Sequence, residues 1–307
     1  MKFSICLVAE PNVVFLNETR LALYTLRKNG GLLSDAPVTL IVNGTELKKK
    51  DEAFLLANFG PLDIKVFPRQ TPVWASKFNA FYANDPDDYD VFLFLDCDLL
   101  FLGPLDDIVE PLQQRGKQFL GLRIGPAGFN GMLQGPDGLV NEFCQANRRG
   151  VQFEGKTEWP FYNSGVLVAT SDAIRLIRSK SVSIAHQLAR EFHEVSGYES
   201  RVPLEGAKTE RRISEEWQIE QIALALAVID SGVEVEYLDG TYNAHTRQPD
   251  GELPQVFHCF KQRFFFDRAR LFDDDLLDEL SEHEDELMRL MVKAARDFKR
   301  EFHFSPK

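Results

Sequence analysis

The sequence has few cysteines and no long apolar run. Its four cysteines, Cys6, Cys97, Cys144 and Cys259, are scattered and include no C-x-x-C pair. This spacing argues against a disulfide framework or a zinc site and is typical of buried thiols in a reducing compartment. No stretch is long and apolar enough to span a bilayer, and the first apolar run is too short for a signal peptide. We therefore expect a cytoplasmic protein without a transmembrane segment.

Basic residues and glycine-rich nucleotide motifs are also scarce. The 35 Lys and Arg residues are outnumbered by 47 Asp and Glu residues, which gives a formal net charge of −12. This charge argues against nucleic acid as the main partner, and an acidic protein that binds an anionic substrate needs a local cation. Neither G-x-G-x-x-G nor G-x-x-x-x-G-K-[ST] occurs, so the dinucleotide and P-loop fingerprints are absent.

The most informative stretch begins at Val91. Residues 91–95 form a short apolar run without alternation, which predicts a strand buried on both faces of a parallel sheet. Asp96 and Asp98 follow at its C-terminal end, where open α/β sheets bind ligands. Two carboxylates this close repel each other unless a cation lies between them, and Mg²⁺ or Mn²⁺ with substrate phosphates suits such oxygen ligands. The alternative is a solvated turn, because Asp-x-Asp is a common tripeptide.

Strands and helices alternate along the first hundred residues, which predicts an α/β fold with a mostly parallel sheet. The predicted strands are 3–9, 38–42, 64–67, 91–95, 119–124, 161–169 and 233–238. The predicted helices are 17–28 with Asn17 as N-cap, 46–58, 74–83, 106–115, 172–195 and one that begins at Ser214. From about Asp273 the sequence predicts one long amphipathic helix, either a structural brace or an oligomer contact. We therefore expect a domain over 1–262 and a helical extension over 263–307.

Several residues allow two interpretations. Gly165, inside a predicted strand, marks a bulge, a close approach of the backbone to a ligand, or a simple kink. Gln221 lies on an apolar helical face, as either a satisfied core residue or a polar group pointed into a cleft. His258 follows a short apolar run, where a hydrogen-bonded core histidine is commoner than a metal ligand. The loop 125–138 is either a lid or, as loop statistics favour, a surface connection.

Six motifs occur in an order and spacing that resemble the family-eight glycosyltransferases, which include bacterial lipopolysaccharide galactosyltransferases and glycogenin. The resemblance covers residues 3 to 261 and implies a GT-A fold, a Rossmann-like, mostly parallel mixed sheet flanked by helices. It also implies a nucleotide-sugar donor, usually UDP-linked, Mn²⁺ (or Mg²⁺), and transfer to a hydroxyl acceptor with retention of configuration. The motifs are Lys77-Phe-Asn-Ala-Phe-Tyr, Tyr89-Asp-Val-Phe-Leu-Phe-Leu-Asp96-Cys-Asp98, Pro160-Phe-Tyr-Asn163-Ser-Gly165, Glu220-Gln221, Tyr242-Asn243 and His258.

The resemblance also implies roles for individual residues. Asp96, Asp98 and His258 would hold the metal, with His245 as the alternative third ligand. The donor contacts would come from Lys77, from Ala9 and Glu10 at the nucleobase, and from Lys261 at the phosphate. Asn163 and Gly165 would contact the donor sugar or the acceptor. The donor hexose would be held by Glu220 and Gln221, with Gln221 at the reacting face.

Two departures from the family pattern bear on these roles. The family usually has Asp-Gln where this chain has Glu220-Gln221, so the reach to the sugar differs by one methylene. His258 is followed by Cys-Phe-Lys261 and by no Gly or Lys-Pro-Trp run, which weakens the phosphate role of Lys261.

Two other functions stay open on the sequence. A sugar nucleotidyltransferase would carry a Gly-rich basic loop after the first strand, but residues 9–20 have no Gly and a single Arg. A non-catalytic nucleotide-sugar-binding scaffold would keep the sheet and lose turnover. The acceptor, whether a glycan, a lipid-linked sugar or a protein hydroxyl, is not encoded in any motif.

Overall fold

The computed structural model describes residues 1–70, 73–123, 151–153, 156–158, 162–196, 220–245, 251–258 and 267–305. The described strands are β1 Phe3–Ala9, β2 Val38–Asn43, β3 Leu62–Phe67, β4 Val91–Asp96, β5 Leu99–Phe101, β6 Phe119–Arg123, β7 Val151–Phe153, β8 Lys156–Glu158, β9 Tyr162–Thr170, β10 Val235–Tyr237 and β11 Val256–His258. The described helices are α1 Val13–Asn29, α2 Lys49–Asn58, α3 Glu110–Gln114, α4 Ser171–Ser196, α5 (220–231), α6 Asp274–Ser281 and α7 Glu286–Phe302. Short 3₁₀ segments cover Gly31–Leu33, Val73–Tyr82, Gly240–Tyr242 and Arg268–Arg270.

The main sheet has seven strands in the order β10-β6-β9-β4-β1-β2-β3. Its pairs are parallel except for β9, which runs antiparallel to both β4 and β6. The α/β class with a mixed, mostly parallel sheet flanked by helices is therefore confirmed. Buried apolar residues pack on both faces of the sheet, as expected for strands with few polar positions.

Strand β5 leads the chain away from the sheet directly after β4. It pairs antiparallel with β11, with His258 opposite Leu99, and the two strands form a small separate sheet. The backbone N–H of Leu102 donates to the carbonyl of Gln255 at 2.8 Å, which extends the pairing beyond the last ladder position. This small sheet brings His258, distant in sequence, to the carboxyl end of β4.

Strand β9 contains a bulge at Gly165, one of the interpretations that the sequence left open. The register against β6 changes from Gly121 opposite Leu167 to Leu122 opposite Asn163, so residues 164–166 have no partner on β6. The extra residues turn the start of β9 toward the end of β4. The bulge interpretation of Gly165 is therefore correct.

The start of α1 was predicted wrongly. The helix begins at Val13 and its N-cap is Asn12, whose Oδ1 accepts from the backbone N–H of Phe15 at 3.2 Å. Asn12 offers the same capping chemistry one turn earlier than Asn17, and no helix breaker separates the two. Asn17 is buried instead, and its Nδ2 donates to the carbonyl of Ala269 at 2.9 Å.

The C-terminal region has two helices rather than the single long one expected. Helix α6 ends at Ser281, and Asp285 starts α7 as a new N-cap, with its Oδ1 accepting from the N–H of Leu287 at 2.8 Å. The apolar face of α7 belongs to the same buried cluster as β1 and α1, so these helices brace the domain from within the chain. The division at residue 262 and an oligomer contact through these helices stay predictions.

Phe298 is the centre of this brace, and we predict its effect on stability. The side chain is fully buried and stacks on Phe272 and Phe59, with ring centroids 4.8 Å and 6.2 Å away. We expect Phe298→Leu to lower the free energy of unfolding by ~1–2 kcal/mol, because it removes ring contacts while keeping an apolar side chain. Urea unfolding measures the change. Leu32→Ala, at a side chain that is 81% exposed, is the matched control and should be nearly neutral.

Candidate metal and donor site

The three predicted metal ligands meet at the carboxyl end of β4. Nε2 of His258 lies 3.0 Å from Oδ1 of Asp98 and 4.0 Å from Oδ2 of Asp96. One ligand atom from each residue lies within 4.8 Å of the other two. The imidazole is buried while both carboxylates are partly exposed, so a cation can reach the site from solvent. Two carboxylate oxygens and one imidazole nitrogen form a donor set that suits a divalent metal.

Asn243 sets the tautomer of His258. The Nδ2 group of Asn243 donates to the backbone carbonyl of Asn163 at 3.4 Å, so its Oδ1 is the atom that faces Nδ1 of His258, at 3.0 Å. The amide oxygen of Asn243 accepts a hydrogen bond from Nδ1 of His258, and Nε2 is the ring nitrogen that faces the two aspartates, where its lone pair would bind a cation. A carbonyl oxygen behind the imidazole is the usual outer partner of a metal-binding histidine. The donor set therefore fits the implied metal.

His245, the alternative third ligand, lies outside the trio. Its Nε2 is 2.8 Å from Nδ2 of Asn163, and its ring stacks on that of His258 with centroids 4.8 Å apart. The described group that can hold a metal contains His258 and not His245. His245 therefore supports the site by holding Asn163 and the ring of His258.

Gly165 packs closely against the ring of His258. A Cβ atom added there would lie 2.6 Å from Cε1 and 2.8 Å from Nδ1 of His258, closer than side chains can approach. The backbone N–H of Gly165 also donates to Oδ1 of Asn163 at 2.9 Å. Asn163 and Gly165, predicted as donor contacts, thus lie directly against His258.

We predict that Gly165→Ala weakens metal binding. The added methyl group must push the imidazole of His258 away from Asp98, and we expect the Kd for Mn²⁺ to rise about 10-fold or more. Titration of free Mn²⁺ by electron paramagnetic resonance measures the change. Gly60→Ala is the control, because a Cβ there meets nothing within 4 Å. An unchanged Kd for Gly165→Ala would show that His258 does not bind the ion.

Lys77 connects the aspartates to Glu220. Its Nζ lies 2.6 Å from Oδ1 of Asp96 and donates to Oγ of Ser164 at 2.9 Å, and that hydroxyl donates to Oε2 of Glu220 at 3.0 Å. Burial lowers the pKa of Lys77, but the charges of Asp96 and Glu220 outweigh it, so the pKa is raised and the amine stays protonated. Ser164 has no assigned role in the sequence, although it lies within the Asn163-Ser-Gly165 motif.

Glu220 and Gln221 are both buried at the start of α5. Among the residues that the structure describes, none forms a hydrogen bond with Oε1 of Gln221. A buried polar atom without a partner costs about 1–3 kcal/mol, so such atoms are often reserved for a ligand. This favours the interpretation of Gln221 as a group pointed into a cleft.

The remaining residues predicted to contact the donor lie at the end of β1 or outside the residues that the structure describes. Ala9 is buried at the last position of β1, and the carboxylate of Glu10 pairs with Nη2 of Arg69 at 2.9 Å. Lys261 lies outside the described residues, as do the loop 125–138, the predicted helix start at Ser214, Cys144 and Cys259. Cys6 and Cys97 are free and buried, as predicted.

Glu18 is a site residue that the sequence did not reveal. It is fully buried in α1, behind the Asp96–Asp98 turn, and its Oε1 lies 2.6 Å from Nη1 of Arg268. Burial and then the charge of Asp98 raise the pKa of Glu18, whereas Arg268 lowers it. The predicted start of α1 at Asn17 placed Glu18 in the first turn of the helix, where an acidic residue needs no other role.

Comparison with known proteins identifies the fold. No family model matches the chain, and no curated protein sequence matches it. The structure is similar to the galactosyltransferase LgtC in complex with donor and acceptor sugar analogs, with a TM-score of 0.55 and 12% identity over 96% of this chain and 95% of that chain. It is also similar to an active-site mutant of LgtC, with a TM-score of 0.53 and 11% identity over the same shares of the two chains.

A third similar structure is mouse xyloside xylosyltransferase 1 in its apo form, with a TM-score of 0.47, 13% identity, and coverage of 85% of this chain and 98% of that one. The LgtC similarity confirms the GT-A fold that the sequence predicted, and it confirms the family-eight resemblance at the level of the fold. Within the described part of the chain, no helix combines the length and apolarity that crossing a membrane requires.

Proposed function

We propose that this chain is a metal-dependent, retaining glycosyltransferase that moves a hexose from a UDP-sugar to a hydroxyl group of a glycan, a lipid-linked sugar or a protein. The observation that carries the proposal is the trio Asp96, Asp98 and His258, with Lys77 beside it, at the carboxyl end of β4 in a GT-A sheet. Ligands bind at this edge of open α/β sheets. The donor and acceptor analogs in the LgtC complex support a sugar-transfer role.

The chemistry of the trio supports Mn²⁺ as the ion and Mg²⁺ as the alternative. The imidazole nitrogen favours Mn²⁺, since Mg²⁺ prefers oxygen ligands alone. A bound Mn²⁺ supplies a Lewis acid for the departing diphosphate. Lys77 adds a second, permanently positive group next to Asp96, where negative charge develops on the leaving group.

The other residues have roles in holding the donor. We assign the donor hexose to Glu220 and Gln221, with the amide of Gln221 at the reacting face and the carboxylate of Glu220 on the sugar hydroxyls. Ser164 holds Glu220 and Lys77 together. We assign the nucleobase to Ala9 and Glu10 at the end of β1, with Arg69 as the partner of Glu10. The phosphate contact of Lys261 stays a prediction.

Release of UDP from a panel of UDP-hexoses by purified protein tests the proposal. We expect release with Mn²⁺ and none with EDTA, and the anomeric configuration of the product, read by NMR, should match that of the donor. Calorimetry that detects UDP binding with Mn²⁺ but no turnover with any sugar would favour the scaffold function. Release of pyrophosphate from a nucleoside triphosphate would instead identify a nucleotidyltransferase.

The net charge and the cysteines support the expected substrate class and cellular compartment. The formal charge of −12 supports a small anionic substrate bound through a cation and argues against nucleic acid as a partner. The free thiols of Cys6 and Cys97 support a reducing compartment such as the cytoplasm. We propose residues 1–262 as the transferase domain and residues 263–307 as its helical brace.

A further inference from the structure

A buried carboxylate that the proposed reaction does not use lies behind the Asp96–Asp98 turn. The side chain of Glu18 is fully shielded, and its Oε1 is 2.6 Å from Nη1 of Arg268, whose side chain is 32% exposed. Carboxylates are almost never fully buried unless they are paired. The position of Glu18 against the site therefore depends on Arg268, which comes from the opposite end of the chain.

Cys97 links this contact to the two aspartates. Its thiol donates to Oε2 of Glu18 at 3.8 Å, and its backbone lies between Asp96 and Asp98. The two oxygens of Glu18 thus contact the turn on one side and the C-terminal segment, residues 267–305, on the other.

A second contact between α1 and the C-terminal segment lies next to the Glu18–Arg268 pair. Asn17, next to Glu18, donates from Nδ2 to the carbonyl of Ala269, next to Arg268, at 2.9 Å. Two adjacent residues of α1 therefore hold two adjacent residues of the C-terminal segment. The carboxylate of Glu18 is the one that also reaches the turn, through Cys97.

We infer that Glu18 and Arg268 are positioning residues for the cation site. The contact between their side chains fixes the Asp96–Asp98 turn, so the affinity of the site for a cation depends on the C-terminal segment. The inference rests on the metal role proposed for Asp96, Asp98 and His258. A purely electrostatic role and a positioning role of Arg268 predict opposite changes in cation affinity when the residue is replaced. Removing a positive charge close to a cation site strengthens cation binding, whereas removing a positioning contact weakens it.

The test is the Kd for Mn²⁺ alone, measured on the full chain by electron paramagnetic resonance of free Mn²⁺. We expect Arg268→Gln and Glu18→Gln each to raise the Kd about 10-fold or more, as for other outer partners of metal ligands. The double variant should be little worse than either single variant, because both act through one contact. Arg270 lies two residues after Arg268 and forms an exposed ion pair with Asp273. The Kd of Arg270→Gln should therefore stay within about twofold of that of the wild type.

The outcomes separate this inference from the proposed function. A wild-type chain that does not bind Mn²⁺ overturns both. A wild-type chain that binds Mn²⁺, with Arg268→Gln binding as tightly or more tightly, overturns the positioning role alone. The positioning role is also overturned if the increase in Kd of the double variant equals the product of the increases in the two single variants. If Arg268→Gln does not fold, Arg268→Lys keeps the charge without the planar fork, and a Kd equal to that of the wild type then overturns the inference.

Discussion

Replacing Asp98 by Asn is expected to lower Mn²⁺-dependent UDP release by about a thousandfold or more. Oδ1 of Asp98 is the carboxylate oxygen closest to His258, with 3.0 Å to Nε2. The amide keeps the size of the side chain but removes the charge that balances a divalent cation. The loss should therefore appear both in turnover and in the Kd for Mn²⁺.

The matched control for this variant is Asp88→Asn. Asp88 is an exposed aspartate shortly before β4, and its substitution removes the same charge from the protein as a whole. Its UDP release should match that of the wild type. Full activity of Asp98→Asn at limiting Mn²⁺ would refute the metal role of the trio.

Replacing Lys77 by Met is expected to reduce turnover by about 10²–10³ without weakening Mn²⁺ binding. The ammonium group of Lys77 lies 2.6 Å from Oδ1 of Asp96. Its loss removes a positive charge that would stabilise the negative leaving group and that also lies close to the cation. Catalysis should suffer while cation affinity stays equal or increases. This opposite movement of two measurements distinguishes a charge that acts on the substrate from a charge that merely organises the site.

Steady-state kinetics and the Mn²⁺ titration together check this prediction. Lys117→Met is the control, because Lys117 makes only a long surface contact of 3.8 Å with Glu234. A parallel loss of Mn²⁺ affinity in Lys77→Met would mean that the amine organises the aspartates instead. Unchanged turnover would exclude Lys77 from the reaction.

The parts of the fold that local pattern determines could be predicted from the sequence. The β4 run and the two aspartates after it needed only hydrophobic periodicity and the position of a turn. His258 was different, because its position after a short apolar run favoured a core histidine, and the prediction that it binds a metal came only from the family resemblance. Its contact with Asp98 is made by the pairing of β5 with β11, and no local signal encodes which distant strand a three-residue strand will join.

Residues that work behind the site escaped prediction for a related reason. Asn12 and Asn17 have equal capping chemistry, so the sequence alone did not decide where α1 begins. The choice mattered, because the actual start buries Glu18 against the Asp96–Asp98 turn, with Arg268 as its partner. The break between α6 and α7 depends in the same way on Asp285, a capping residue in a stretch that is polar throughout.

The position of His258 at the site depends on the register between β5 and β11 in the small sheet. Its ladder has three positions, with His258 opposite Leu99 at one end. A slip of one residue would turn the imidazole to the opposite face, away from both aspartates. In the observed register the side chain of Gln255 packs against Gly103, where a Cβ atom would lie 1.7 Å from Oε1 of Gln255. This packing, which a residue without a side chain allows, therefore belongs to the alignment that brings His258 to Asp96 and Asp98.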